Sequence, residues 1–221
     1  MRVALVTFAL VLAAAPAHAQ PAAPAPAAPC ERRDVALDGG FGRASAVSFT
    51  GAVSGDRICA LVVNLAGDGF SASLGAAPAD AAVVSAAVVP GAGAVLAARA
   101  SGLSLVASSG GPTPAGALGV GPFVVEPGGT FPSFDGDAAD VPRVVLAYAG
   151  QRVIVIRTTA GTLLDLAHAL REAPALFGAD AAERAVVLAG GDAAALQVRT
   201  DAGTIGTQVT TAVQLQFVKR S

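Results

Sequence analysis

The stretch RVVLAYAGQRVIVIRTT, residues 143–159, decides the fold of this chain. Two apolar runs flank Ala149 and Gly150, and a small residue followed by glycine is typical of a tight turn between strands. The run VIVI, 153–156, has no polar residue, as expected for a strand that is buried on both faces. The stretch therefore predicts a β-hairpin whose second strand lies at the centre of a sheet.

A helix is predicted directly after the hairpin, over 162–173. Thr162 and Asp165 have the spacing of a capping box, in which each side chain bonds the other's backbone N–H. Pro174 ends the pattern. The apolar stripe at helical spacing consists of Leu163, Leu164, Ala167 and Leu170.

A second helix is predicted over about 77–89, where Pro78 and Asp80 suit a first helical turn and Pro90 ends the run. The remaining patterns predict strands at 44–50, 57–65, 70–74, 92–100, 102–107, 121–125, 184–189, 195–199, 204–210 and 212–218. We therefore expect an α+β domain, with a mixed, mainly antiparallel β-sheet and two principal helices.

The N-terminus predicts export. Arg2, an apolar run and the small-residue pattern AHA at 17–19 are typical of a signal peptide over 1–19. Residues 20–29 form a Pro/Ala linker, and 30–221 have the length of a single domain. We expect a periplasmic or extracellular protein with no membrane insertion after signal cleavage.

Composition excludes several classes of function. Apolar residues make up 53% of the chain and aromatics 5%, so alanine, valine and leucine must build the core. The formal net charge is −2 and the basic residues are scattered, which argues against nucleic-acid binding. Lys219 is the only lysine and no His/Glu metal motif occurs, so neither a P-loop, a metal nor another cofactor is expected. Nothing indicates an oligomeric state.

Cys30 and Cys59 are the only cysteines of the chain. In an exported protein such a pair predicts one disulfide. It would tie the start of the domain to the strand over 57–65.

Four segments, taken in order over about residues 75–205, resemble the phosphodiester glycosidase family. They are GPFVVEPGG at 121–129, VPRVVLAY at 141–148, GTLLDLAHAL at 161–170 and FGADAAERAVVLAGGDAAAL at 177–196. The resemblance implies an enzyme that hydrolyses a sugar–phosphate diester, with a carbohydrate phosphate as its ligand. It also implies substrate-binding roles for Gly121, Arg143, Gly190 and Gly191, in which Arg143 holds the phosphate bidentately.

The chain departs from the family at the positions that carry chemistry. The family's Asp-Gly-Gly is Ala189-Gly190-Gly191 here, and the serine that follows it is Ala193 or Ala194. The family's upstream Asn-Gly corresponds to Ala97 and Ala98. Asp192 is the candidate catalytic residue, as an acid displaced from its usual place.

Each candidate residue also has a structural interpretation. Arg143 could be a strand-start arginine paired with Asp140, and the glycine pair with Asp192 could be an ordinary turn. Asp135, Asp137 and Asp140 crowd one loop, which favours a solvated loop over a Ca²⁺ site because the spacing fails the EF-hand pattern.

His168 and Asp165 have the spacing of part of a catalytic triad. No Gly-x-Ser-x-Gly motif accompanies them, so we expect both on the exposed face of the helix.

The sequence leaves open whether the protein is an enzyme. One hypothesis, which the family resemblance favours, is an exported hydrolase of sugar–phosphate diesters. The alternative is a catalytically inactive binding or structural module with the same fold, which the lost acid and hydroxyl favour. A secreted domain whose resemblance to the family is accidental is the third.

Overall fold

The computed structural model describes residues 34–66, 69–76, 82–99, 102–132, 139–178 and 181–220. Three β-sheets make up most of this part of the chain, and every strand pairing in it is antiparallel. One α-helix, α1 (Leu163–Glu172), and two short 3-10 helices, Pro174–Phe177 and Gly191–Ala193, complete the described elements.

The largest sheet has seven strands, in the spatial order β1-β2-β3-β11-β10-β12-β9. In chain order these are β1 (Asp34–Ala36), β2 (Gly42–Thr50), β3 (Arg57–Leu65), β9 (Phe123–Val125), β10 (Arg143–Ala149), β11 (Arg152–Thr158) and β12 (Arg184–Gly190). The hairpin predicted over 143–159 is confirmed as β10 and β11, and β11 lies in the middle of this sheet.

Two smaller sheets account for the other strands. The five-stranded sheet has the order β14-β13-β5-β15-β4 and contains β4 (Phe70–Gly75), β5 (Val84–Val88), β13 (Leu196–Thr200), β14 (Gly203–Gly206) and β15 (Val213–Lys219). The three-stranded sheet has the order β7-β6-β8 and contains β6 (Ala94–Arg99), β7 (Gly102–Ala107) and β8 (Ala117–Val120).

The central strands of the seven-stranded sheet, β10 and β11, are buried on both faces. Val153 and Val155 of β11 pack into the cluster shared with the smaller sheets, and we call this side the inner face. Ile154 and Ile156 pack under α1, together with its Leu166, and we call this side the helix face. The alternation of two apolar faces explains why VIVI has no polar position.

The α+β prediction with a mixed sheet and two principal helices is wrong: the described fold is mainly antiparallel β with one α-helix. Residues 84–88, expected in the helix over 77–89, form β5, which pairs with β13 and β15. Residues 77–81, including Pro78 and Asp80, lie outside the described residues. All five residues of β5 are buried. Pairing and burial on both sides outweigh the helix propensity of an alanine-rich run.

The helix predicted over 162–173 is confirmed as α1, with its capping box. Asp165 also joins the helix to the turn between β2 and β3. One carboxylate oxygen accepts bonds from the N–H and the hydroxyl of Thr162, at 3.1 and 3.0 Å. The other accepts the N–H groups of Val53 and Ser54, at 2.7 and 3.3 Å. Asp165 is 1% exposed, so the prediction that it lies on the exposed face is wrong.

The predicted disulfide and signal peptide involve residues outside the described part of the chain. Cys59 lies in β3 and is buried, but Cys30 lies outside the described residues, so the disulfide stays a prediction. The signal peptide and the linker lie outside them as well. Within the described part of the chain, no helix has the length and apolar character to cross a membrane.

Replacing Asp165 by asparagine should destabilise the fold in a pH-dependent manner. Burial raises the pKa of this carboxyl, but the hydrogen bonds from Val53, Thr162 and Ser54 outweigh burial and hold the pKa below its ordinary value. The stabilisation is therefore complete above about pH 3.9, the unfolded pKa, and is lost as the pH falls through the lower folded pKa. We expect Asp165→Asn to cost about 2–3 kcal/mol at pH 7.

Urea unfolding of wild type and variant between pH 7 and pH 2 measures the effect. The difference in unfolding free energy should shrink on acidification, because the wild-type carboxyl becomes neutral too. Asp192→Asn, at an exposed carboxylate, is the matched control and should change stability by less than about 0.5 kcal/mol. A difference that stays constant down to pH 2 would contradict the assignment.

Candidate functional site

Three of the four predicted substrate-binding residues lie together at one end of the seven-stranded sheet, and Gly121 lies beside β12, further from that end. Arg143, at the start of β10, lies directly opposite Gly190, at the end of β12. Gly191 donates its N–H to the carbonyl of Pro142 at 2.9 Å, and Gly121 donates to the carbonyl of Val187 at 3.1 Å. The candidate site is therefore the end of the sheet at which β12 stops and β10 begins.

The Arg143 side chain is buried and binds main-chain carbonyls. Its Nη2 donates to the carbonyl of Ala139 at 2.8 Å and its Nε to that of Gly161 at 3.4 Å. Asp140 accepts a hydrogen bond from the N–H of Gly161. The guanidinium and this carboxylate thus connect the loop before β10 to the loop before α1. A phosphate-binding role for Arg143 stays a prediction.

Two of the three glycines have a positive φ angle, a backbone conformation that favours glycine. Gly121 has φ +132°, and a Cβ at this position would overlap the carbonyl oxygen of Ala92. Gly191 has φ +61°, and a Cβ there would meet no atom within 4 Å. Gly190 has extended backbone, and its Cβ would lie 3.7 Å from Nη1 of Arg143. Contact of these glycines with a substrate stays a prediction.

A β-bulge decides which face of the sheet each residue of the Gly-Gly segment occupies. Val145 pairs with Val187, but Val144 pairs with Ala189, so Leu188 is the extra residue on β12. Val187 packs on the helix face, whereas both Leu188 and Ala189 belong to the inner-face cluster. Regular alternation would have put Ala189 on the helix face instead.

Two cross-strand rows result at this end of the sheet. One row runs through Ala60, Thr158, Arg143 and Gly190, and Arg143 reaches the α1 side. The other row runs through Leu61, Arg157, Val144 and Ala189, on the inner face. Arg143 and Ala189 consequently lie on opposite faces of the sheet.

Arg157, which the sequence analysis did not single out, is the cation in the inner-face row. It is partly buried, and its Nε donates to the carbonyl of Ala194 at 2.9 Å. Burial lowers the pKa of its guanidinium. The signal in the sequence is a single arginine in the apolar run that ends the hairpin, two residues after the buried Val155.

Asp192, the acid that directly follows the Gly190-Gly191 pair, lies on the turn beyond β12. This turn is the 3-10 helix Gly191–Ala193, and Asp192 is exposed. Among the described residues it has no ion pair and no side-chain hydrogen bond. Its catalytic role stays a prediction.

The other candidate sites do not assemble in the described residues. Asp135 and Asp137 lie outside the described residues, and the carboxylate of Asp140 accepts a hydrogen bond from the N–H of Gly161. His168 is partly exposed, 3.2 Å from Nη2 of Arg171, while the carboxylate of Asp165 is occupied at the helix cap. No group of three His, Cys, Asp or Glu side chains in the described part of the chain could hold a metal ion.

Comparison with known proteins gives a likeness in fold. No family model matches the chain, and no curated protein matches its sequence. A solved structure that does match is the zebrafish N-acetylglucosamine-1-phosphodiester alpha-N-acetylglucosaminidase (NAGPA) catalytic domain, auto-inhibited by its pro-peptide. The TM-score is 0.55 at 9% identity, over 86% of this chain and 88% of that one. The two share a fold.

A second match is a hypothetical protein from Synechocystis. The TM-score is 0.50 at 10% identity, over 81% of this chain and 62% of that one. Matches at 9 and 10% sequence identity show a similar fold and nothing about function. The family resemblance seen in the sequence is thereby confirmed for the fold and not beyond it.

Replacing Arg143 by glutamine should destabilise the protein by about 2–4 kcal/mol, because the buried side chain loses its charge-assisted bonds to the carbonyls of Ala139 and Gly161. Chemical denaturation measures this loss. Arg152→Gln is the matched control: Arg152 is exposed and its Nη1 donates to one carbonyl, that of Gly178, at 2.8 Å. We expect at most about 1 kcal/mol there. Unchanged stability in Arg143→Gln would contradict the structural role of the guanidinium.

Proposed function

We propose that this protein is an exported, non-hydrolytic module that binds a carbohydrate phosphate on a phosphodiester glycosidase-like fold. Ala189 is the observation that carries the proposal. In the family pattern the acid stands at this position, immediately before the glycine pair. Here the side chain is a methyl group, 2% exposed within the apolar cluster between the sheets.

General acid–base catalysis needs a titratable group within hydrogen-bond reach of the reacting atom. Position 189 supplies none, and Ala193 and Ala194 supply no hydroxyl where the family has serine. Asp192 is three residues further along the chain, on an exposed turn and away from the buried row that contains Ala189. These features favour the inactive module over the hydrolase.

The likeness to the NAGPA catalytic domain supports a sugar phosphate as the class of ligand, since that protein's name gives an N-acetylglucosamine phosphodiester. Export rests on the pattern of residues 1–19, with the periplasm or the extracellular space as the destination. A folded domain that keeps the Gly-Gly turn without the acid is suited to holding such a ligand rather than to cleaving it.

A hydrolysis assay on the purified full chain tests the proposal. The substrates are an aryl phosphodiester and a sugar–phosphate diester, and Asp192→Ala is assayed beside wild type. Because no acid stands at position 189, we expect wild type and variant to release product at the same rate as buffer. Turnover that Asp192→Ala removes would make the protein a hydrolase with Asp192 as its acid. Turnover that survives the substitution would place the acid elsewhere and would equally overturn the proposal.

A further inference from the structure

Arg157 is the only charged residue in the inner-face row Leu61, Arg157, Val144 and Ala189. The residues that precede it on the same face of β11, Val153 and Val155, belong to the core cluster. Arg157 therefore lies at the edge of the inner-face core cluster, near the end of β11. A guanidinium at such a position loses part of its hydration without leaving the solvent altogether.

No described carboxylate compensates for this loss. The Nε of Arg157 donates to the carbonyl of Ala194 at 2.9 Å, and this bond is the side chain's one polar contact within the described residues. Partly buried cations are normally paired with an anion. The lowered pKa has burial as its cause, with no acid opposing it.

The bond to Ala194 also orients the guanidinium. With Nε committed to a backbone carbonyl, Nη1 and Nη2 remain as a pair of donors at the tip of the planar group. This is the fork that matches two oxygens of a phosphate or a carboxylate. An anion bound there would complete the ion pair that the described residues do not provide.

The neighbouring residues suit an anion. Ala193 and Ala194, whose segment accepts the Nε bond of Arg157, carry only methyl groups and so offer no carboxylate or hydroxyl to the guanidinium. Asp192, which directly precedes Ala193, is exposed and forms no ion pair with Arg157. Arg57, on the same face of β3, adds a second positive charge at this end of the sheet and donates to the hydroxyl of Ser48 at 3.2 Å.

We propose that Arg157 is the anion-binding residue of this protein and that it holds the phosphate group of its ligand at the end of β11, on the inner face beside Ala194. The choice of phosphate rests on the proposed function; the assignment of Arg157 rests on the geometry. Arg143, buried on the opposite face and bonded to backbone carbonyls, is a structural residue.

Calorimetric titration with glucose 1-phosphate tests the assignment, with glucose as the uncharged probe and glucuronic acid as the carboxylate probe. We expect wild type to bind glucose 1-phosphate, and Arg157→Gln to weaken this binding about tenfold to a hundredfold, as for a lost charge-assisted bidentate contact. Arg152→Gln, at an exposed arginine at the other end of β11, is the matched control for general positive charge and should change the affinity less than about threefold. Glucose should show no dependence on residue 157.

The outcomes separate clearly. Equal affinity of wild type and Arg157→Gln, or no binding of either anionic probe, would overturn the assignment. Tighter binding of glucuronic acid than of glucose 1-phosphate, lost in Arg157→Gln, would keep the site and overturn phosphate as its ligand. If Arg157→Gln does not fold, Arg157→Lys decides: it keeps the charge but loses the fork, and we expect about tenfold weaker binding.

Phosphate release measured in the same samples keeps the two proposals apart. Release from glucose 1-phosphate would overturn the non-hydrolytic function, whereas the dependence of affinity on residue 157 would still decide the anion site.

Discussion

The burial of both faces of the β10–β11 hairpin is the constraint on which the rest of the structure depends. One face needs the five- and three-stranded sheets and the other needs α1, because each apolar side of a sheet must be covered. With few aromatic residues, this core is made of many small contacts among valine, leucine and alanine. The burial of so many small side chains, rather than any single anchor, fixes the arrangement of the layers.

This two-sided burial gives the candidate site its character. At the end of the sheet, a polar side chain lies on either the helix face or the inner face. Arg143 lies on the helix face, where it binds the backbone of the loops before β10 and α1. Arg157 lies on the inner face, where the carbonyl of Ala194 accepts its single described hydrogen bond. Two arginines on adjacent strands, one row apart, thus have opposite surroundings and different chemistry.

Much of the fold could be predicted from local sequence. The hairpin, its central strand and the capped helix α1 all follow from periodicity and capping, which act over a few residues. β5 could not be predicted in this way, because VSAAV has no period that separates helix from strand. Its state depends on β13 and β15, which are more than 100 residues away along the chain. Three of the predicted site residues, Arg143, Gly190 and Gly191, lie together at the end of the sheet, while their contact with a ligand stays a prediction.

By itself, the sequence determined that the acid and the hydroxyl of the family pattern are alanines, and that an arginine interrupts the apolar run at position 157. Only the tertiary structure decided which of these positions face one another. The bulge at Leu188 moves Ala189 to the inner face, in the row of Arg157, and leaves Gly190 beside Arg143. The physical reason is that one extra residue in a strand reverses the facing of every residue after it. Strand periodicity cannot reveal such a residue, because a bulge exists only relative to the partner strand.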